Sequence, residues 1–145
     1  MQIRALKRGD YETWLPLWQA NCLNQITQDI TAETRRRLCN PKEDVFGLGA
    51  FDETGALCGF LHYILHPTTG FKEPACYMQD LYVNVKYRRQ GIAKHLVLTL
   101  NEMGQAQKWA RIYWFAEEGN DAVQKLYKDL GVKMNFSLHM LHIHS

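Results

Sequence analysis

The chain has 145 residues, 46% of them apolar and 22% charged, with a formal net charge of +2. That balance describes an ordinary globular protein, read as a single domain over residues 1–145 with enough apolar residues for its own core. It excludes a membrane-spanning helix, since no apolar run reaches ~18 residues, and so small a net charge does not call for a nucleic-acid partner.

Residues 2–6 alternate weakly and predict a first strand. Gly9-Asp10 offers a helix start, and Trp14, Leu17, Trp18 and Leu23 follow at near-helical spacing, with Pro16 in the first turns. Thr31 is expected to cap a second helix, TAETRRRL, which stops before Asn40-Pro41. Val45–Phe51 and Ala56–Leu65 flank DETG and predict a hairpin. HPTTGFKEP, residues 66–74, reads as an exposed loop. Residues 76–85 are apolar and aromatic on both faces, as expected of a central strand. Ile92, Leu96, Leu100 and Met103 repeat at helical spacing, so 91–107 is an amphipathic helix. Arg111–Phe115 is the next strand. Asn120 or Asp121 caps a helix with an apolar face of Val123, Leu126, Tyr127 and Leu130, ended by Gly131. A last strand is expected over Ser137–Ile143. The order β-α-α-β-β-β-α-β-α-β predicts an α+β (mixed α/β) fold with a largely antiparallel sheet.

The chemistry-bearing stretch is VNVKYRRQGIAKHL, residues 83–96. Strand, basic turn, then helix leaves free backbone N–H groups at a helix N-terminus, where an anion is favoured. Gly91 has no Cβ to hold a phosphate away from the backbone, and Ala93 keeps the same face open. Arg88 and Lys94 add positive charge. The spacing is neither that of a P-loop nor that of a dinucleotide-binding GxGxxG. Read alone, the segment is also what a charged connector capping a helix looks like.

Arg88-Arg89-Gln90-Gly91-Ile92-Ala93 resembles the R/Q-x-x-G-x-G/A motif of the GNAT superfamily of acetyl-CoA-dependent N-acetyltransferases. Asn120, Val123, Tyr127, Gly131 and Val132 resemble the superfamily's second element, at family-like separation. The resemblance covers nearly the whole chain. MQDLYV, RIYWFAEEGN and LHPTTGF look most like the branches that hold polyamine and thialysine acetyltransferases and the fungal histone, polyamine and amino-acid acetyltransferases. It implies a GNAT-like fold, a mostly antiparallel twisted sheet of six to seven strands flanked by about four helices. It also implies acetyl-CoA as cofactor and a homodimer.

Residue by residue, the resemblance gives backbone contacts to the acetyl and pantetheine parts from Leu81, Tyr82 and Val83, with an N–H near Val83 polarising the thioester carbonyl. Arg89, Gln90, Gly91, Ile92, Ala93 and Lys94 wrap the pyrophosphate, and Arg88 either joins them or is solvated. Asn120 contacts the cofactor arm, caps the helix, or both. Tyr127 matches the general acid that protonates the departing thiolate. The position that is often Glu in the polyamine branch is Gln79, which cannot act as a base. Asp80 is adjacent, but successive strand residues face opposite ways. Glu117, Glu118, a water relay and capture of the free amine stay open as alternatives. His66, Gln79, Asp80 and Glu117 are the expected substrate contacts.

Four cysteines, Cys22, Cys39, Cys58 and Cys76, stand far apart with no CxxC pair, so reduced structural thiols are expected. None falls on a motif position, so no acyl-enzyme is expected. MQIRALKRGDYE has no apolar signal region, which predicts a cytoplasmic protein. The six histidines, among them His62, His66, His139, His142 and His144, form no ligand pattern with Cys or carboxylates, and no metal is expected. Tyr11, Trp14 and Trp18 are expected in the core, and Arg35, Arg36 and Arg37 on a solvated face. The expected reaction is acetyl transfer to a primary amine of a small molecule, by direct attack in a ternary complex. Acetylation of a protein lysine or N-terminus, and a non-catalytic acyl-CoA-binding module, are the alternatives.

Overall fold

The central strands carry the longest apolar runs in the chain, and a run apolar on both faces can be satisfied only inside a sheet. In a computed structural model of the protein, which describes residues 1–119 and 121–144, these runs form a five-stranded sheet in the order β1-β2-β3-β4-β5. The strands are β1 (Gln2–Ala5), β2 (Val45–Phe51), β3 (Leu57–His66), β4 (Ala75–Val83) and β5 (Arg111–Tyr113). The first four are successive antiparallel neighbours, and β5 joins β4 in parallel. Four α-helices accompany them: α1 (Tyr11–Asn21), α2 (Gln28–Cys39), α3 (Ile92–Gln107) and α4 (Asp121–Leu130). The fold is α+β as expected, with five strands among the described residues rather than six to seven. The chain divides into Met1–Phe115, which contains the whole sheet, and Ala116–Ser145, which contains α4.

The hairpin β2–β3 is closed by its turn chemistry. Asp52 Oδ1 accepts hydrogen bonds from the Thr54 and Ala56 backbone N–H groups and the Thr54 hydroxyl. The Thr54 hydroxyl and the Ala56 N–H are the leading causes that lower the Asp52 carboxyl to about 2. Helix α1 buries Tyr11, Trp14, Leu17 and Trp18 against Phe51, Leu57 and Phe60. Pro16 sits inside this helix and forgoes one i→i−4 bond, a cost offset by that apolar stripe. The opposite face of the sheet takes α3, through Ile92, Leu96, Val97 and Leu100.

Three expectations are corrected. Helix α2 starts at Gln28, after Thr27, and not at Thr31. The Thr31 hydroxyl instead accepts a hydrogen bond from Trp18 Nε1 at 3.1 Å, which ties α2 to α1. Strand β4 stops at Val83, because the Asn84 side chain accepts from the Lys86 N–H and starts a 3₁₀ turn over Val85–Tyr87. Residues 137–143 form no strand. Their alternating apolar pattern has no ladder partner among the described residues, and Phe136, Leu138, Met140, Leu141 and Ile143 are exposed by 61–90%. All four cysteines are free thiols, with Cys58 and Cys76 buried.

Candidate active site

Strands β4 and β5 pair only through Ala75–Tyr77 and Arg111–Tyr113. Beyond Tyr77, β4 continues to Val83 with β3 on one side and, among the described residues, no ladder partner on the β5 side. The orientation of this open edge follows from one bond. The Asn84 N–H donates to the Cys58 carbonyl on β3 at 2.8 Å. Neighbouring residues of a strand send their backbone groups to opposite sides. Val83 and Leu81 therefore present N–H and C=O to the open edge, while the backbone of Tyr82 faces β3. The Val83 carbonyl accordingly accepts from Arg88 Nε at 3.1 Å. Arg88 thus folds back over the strand end, with its guanidinium 5.5 Å from the Tyr82 ring centroid. Tyr82 differs here from the expectation for all three residues.

The turn after β4 uses two left-handed residues, Arg89 at φ 67° and Gly91 at φ 76°. Only glycine adopts that region without strain, which is why Gly91 opens α3. A Cβ at Gly91 would meet nothing within 4 Å, so the space above its backbone is open. The first intrahelical bond of α3 runs from the His95 N–H to the Gly91 carbonyl. The N–H groups of Ile92, Ala93 and Lys94 are left without an intrahelical acceptor, at the positive end of a helix of 16 residues. Arg89, Gln90 and Lys94 are exposed around them, while the Ile92 side chain is buried beneath. An open strand edge leading to a helix N-terminus with bare amides fits an extended ligand that ends in phosphate.

The sheet face under α1 carries a feature that sequence reasoning missed. His62↔Asp80 and Tyr63↔Met78 are partners in the β3–β4 ladder, so Gln79 is an extra residue, a β-bulge. The bulge resets the alternation, so Tyr77 and Asp80 share a face. Strict alternation therefore does not separate Asp80 from the site, and Gln79 points out to solvent. Asp80 Oδ1 accepts from Asn21 Nδ2 at 3.1 Å. Asp80 Oδ2 pairs with His62 Nδ1 at 3.0 Å. His62 Nε2 accepts from Trp14 Nε1 at 3.0 Å. Further along the same face, Tyr77 stacks on Tyr113 at 5.1 Å, and Phe115 meets both rings edge-on. His66 Nε2 lies 2.7 Å from the Tyr113 hydroxyl, and His66 Nδ1 lies 2.9 Å from the Pro67 carbonyl. Burial raises the Tyr77 phenol, and the charge of Asp80 adds to this.

Within Ala116–Ser145, Tyr127 lies on α4, and burial raises its phenol above the ordinary tyrosine range. Glu117 is exposed, and its carbonyl accepts from Gln124 Nε2. Glu118 pairs with Lys133 at 3.5 Å on the surface. Asn120 lies outside the described residues. Among the described residues no group of His, Cys, Asp and Glu is arranged to hold a metal ion, and no helix is long and apolar enough to cross a membrane.

A sheet whose parallel last strand parts from its neighbour, followed by a glycine-led helix N-terminus, is an arrangement for binding an acyl carrier with a phosphate-bearing tail. The chain belongs to the acetyltransferase (GNAT) family, whose profile matches residues 4–132. It is thus an acetyltransferase, and acetyl-CoA is its acyl donor. It is 30% identical over 135 residues to a D-amino-acid N-acetyltransferase of Saccharomyces cerevisiae, covering 90% of this chain and 84% of that protein. It is 28% identical over 141 residues to an acetyltransferase of Sodalis glossinidius, covering 97% and 93%. A ribosomal-protein-alanine N-acetyltransferase from Brucella melitensis has the same fold, with a TM-score of 0.82, 23% identity, and coverage of 99% of this chain and 100% of that one. An aminoglycoside N-acetyltransferase in complex with CoA aligns with a TM-score of 0.82 and 16% identity, covering 99% and 95%.

Proposed function

We propose that the protein acetylates a primary amine of a small molecule, an amino acid, a polyamine or a related amine, by direct attack in a ternary complex. The observation that carries this reading is the open edge of β4 running into the Gly91 turn. Bound acetyl-CoA would supply an activated acyl group and a thiolate leaving group. The chain's own residues do the rest. The Leu81 and Val83 backbone groups would hold the extended arm along the strand edge, with the Val83 N–H available as a donor for the acyl carbonyl oxygen. The N–H groups of Ile92, Ala93 and Lys94, with the charges of Arg89 and Lys94, hold the pyrophosphate, and Gln90 and Gly91 shape the turn. Arg88 braces the strand end. Tyr127 would hold the proton for the leaving sulfur, and its raised phenol supports a donor role; the acceptor would attack as the free amine and release its own proton to water, which restores the phenol. Asn120 is carried as a contact to the cofactor arm.

For the acceptor, Asp80 supplies negative charge, and His66, Gln79 and Glu117 are proposed at the edge of its site. The yeast relative acts on D-amino acids by name, which supports a small acceptor with a primary amine. We also propose that residues 1–145 work as one domain, in a homodimer, in the cytoplasm. The row of exposed apolar side chains from Val132 to Ile143 supports the dimer. Coenzyme A thiol release, measured with D- and L-amino acids, polyamines, aminoglycosides and lysine peptides, tests the reading. Release with one small-amine class is expected. Release with lysine peptides alone would replace it with protein acetylation. Acetyl-CoA binding with no release across the panel would favour an acyl-CoA-binding module.

A further inference from the structure

We infer that Trp14, His62 and Asn21 are positioning residues that keep the Asp80 carboxylate fixed and its charge uncompensated, so that it can take a cationic group of the acceptor. The inference rests on the reading of Asp80 as a substrate contact, and it assigns the residues that make Asp80 competent.

Indole nitrogen is a donor only. Trp14 Nε1 therefore donates to His62 Nε2, which must carry a lone pair. The imidazole proton then sits on Nδ1 and is donated to Asp80 Oδ2. Both rings are out of water, Trp14 at 0% exposure and His62 at 2%. An imidazolium would set a second N–H against the indole N–H with no acceptor within reach, which a buried site tolerates poorly. Trp14 thereby holds His62 neutral. The consequence falls on Asp80. A charged His62 would cancel its charge, whereas a neutral one orients it and leaves the charge in place. No Lys or Arg among the described residues pairs with Asp80. Asn21 fixes the second oxygen, and each oxygen keeps a free lone pair for a further donor.

The surroundings suit a cation. The bulge at Gln79 puts Tyr77 on the Asp80 face, and the Tyr77, Tyr113 and Phe115 rings continue from it. One carboxylate beside aromatic faces is an ammonium-binding arrangement. The groups around His62 are few. Helix α1 brings the Trp14 and Trp18 rings, β2 brings Gly47, and β3 itself contributes Phe60. Strand β4 brings Asp80, whose charge is also felt by the Cys22 thiol just after α1. Burial is the larger cause that raises that thiol.

The test uses methylammonium as the probe, because it carries a fixed positive charge near neutral pH. Its binding is followed by NMR titration of the full chain, alongside the side-chain ¹⁵N spectrum of His62. The parent is expected to bind it and to show a single His62 tautomer, with the proton on Nδ1. Asp80→Asn is expected to weaken binding at least tenfold. Trp14→Phe removes the donor that fixes the tautomer, so the single-tautomer spectrum should be lost and binding should weaken severalfold. Adding His62→Gln, a neutral donor toward Asp80, should restore binding. Unchanged binding in Trp14→Phe, with Asp80→Asn still weak, would overturn the lock and leave Asp80 as an acceptor contact. Unchanged binding in Asp80→Asn would overturn the acceptor reading itself. Should Trp14→Phe not fold, the parent spectrum decides, since a proton on Nε2 of His62 would overturn the lock unaided.

Discussion

A phenol that donates a proton to a sulfur works only while it holds that proton. Burial raises Tyr127, so its neutral form persists beyond the ordinary tyrosine range and is lost only as pH rises through the raised value. In Tyr127→Phe, turnover is expected to fall by about 10²-fold or more, with acetyl-CoA affinity kept within a factor of about two. Equal loss of both would make the residue structural. The thiols give a second prediction. Burial pushes Cys76 up to about 12 and also raises Cys58. Neither is expected to react with iodoacetamide near neutral pH until the chain is unfolded. Alkylation of the native protein at the rate of a free thiol would contradict the buried placement.

At the scale of elements, the Gly91 turn is the most informative. Gly91→Ala forces a side chain into the left-handed region, for about 1 to 2 kcal/mol of stability, and meets no neighbour in doing so. A modest fall in melting temperature is expected, with a larger fall in acetyl-CoA affinity, since the new methyl stands where the phosphate approaches. Gly91→Glu is expected to abolish acetyl-CoA binding while circular dichroism stays native. Unchanged acetyl-CoA binding would refute the cradle. This turn was legible in the sequence because every residue that makes it lies within one short window. The Gln79 bulge was not, since a bulge is defined by the partner strand, and no local pattern marks the skipped residue. In the sequence His62 stands apart from any partner and suggests at most a metal ligand. Its partners Trp14 and Asp80 come from α1 and β4, and only the packed sheet brings them together. The Ser137–Ile143 strand failed for a related reason: period-two apolarity states what a segment can pair with, and a ladder needs the partner to be there.

At the scale of the whole molecule, the exposed apolar side chains from Val132 to Ile143 bear on the proposed dimer. Light scattering is expected to give the mass of two chains. Phe136→Lys with Leu138→Lys should shift it toward one. A monomeric parent at high concentration would remove the proposed dimer and leave the acetyltransferase assignment untouched.

The central claim is that the open edge of β4 and the first turn of α3 form one continuous acetyl-CoA site. Amide hydrogen exchange with and without acetyl-CoA tests it most directly. New protection is expected at Leu81, Val83, Ile92, Ala93 and Lys94, and no change at Tyr82, whose N–H already faces β3. Protection at Tyr82 without Val83, or protection confined to other elements, would contradict it.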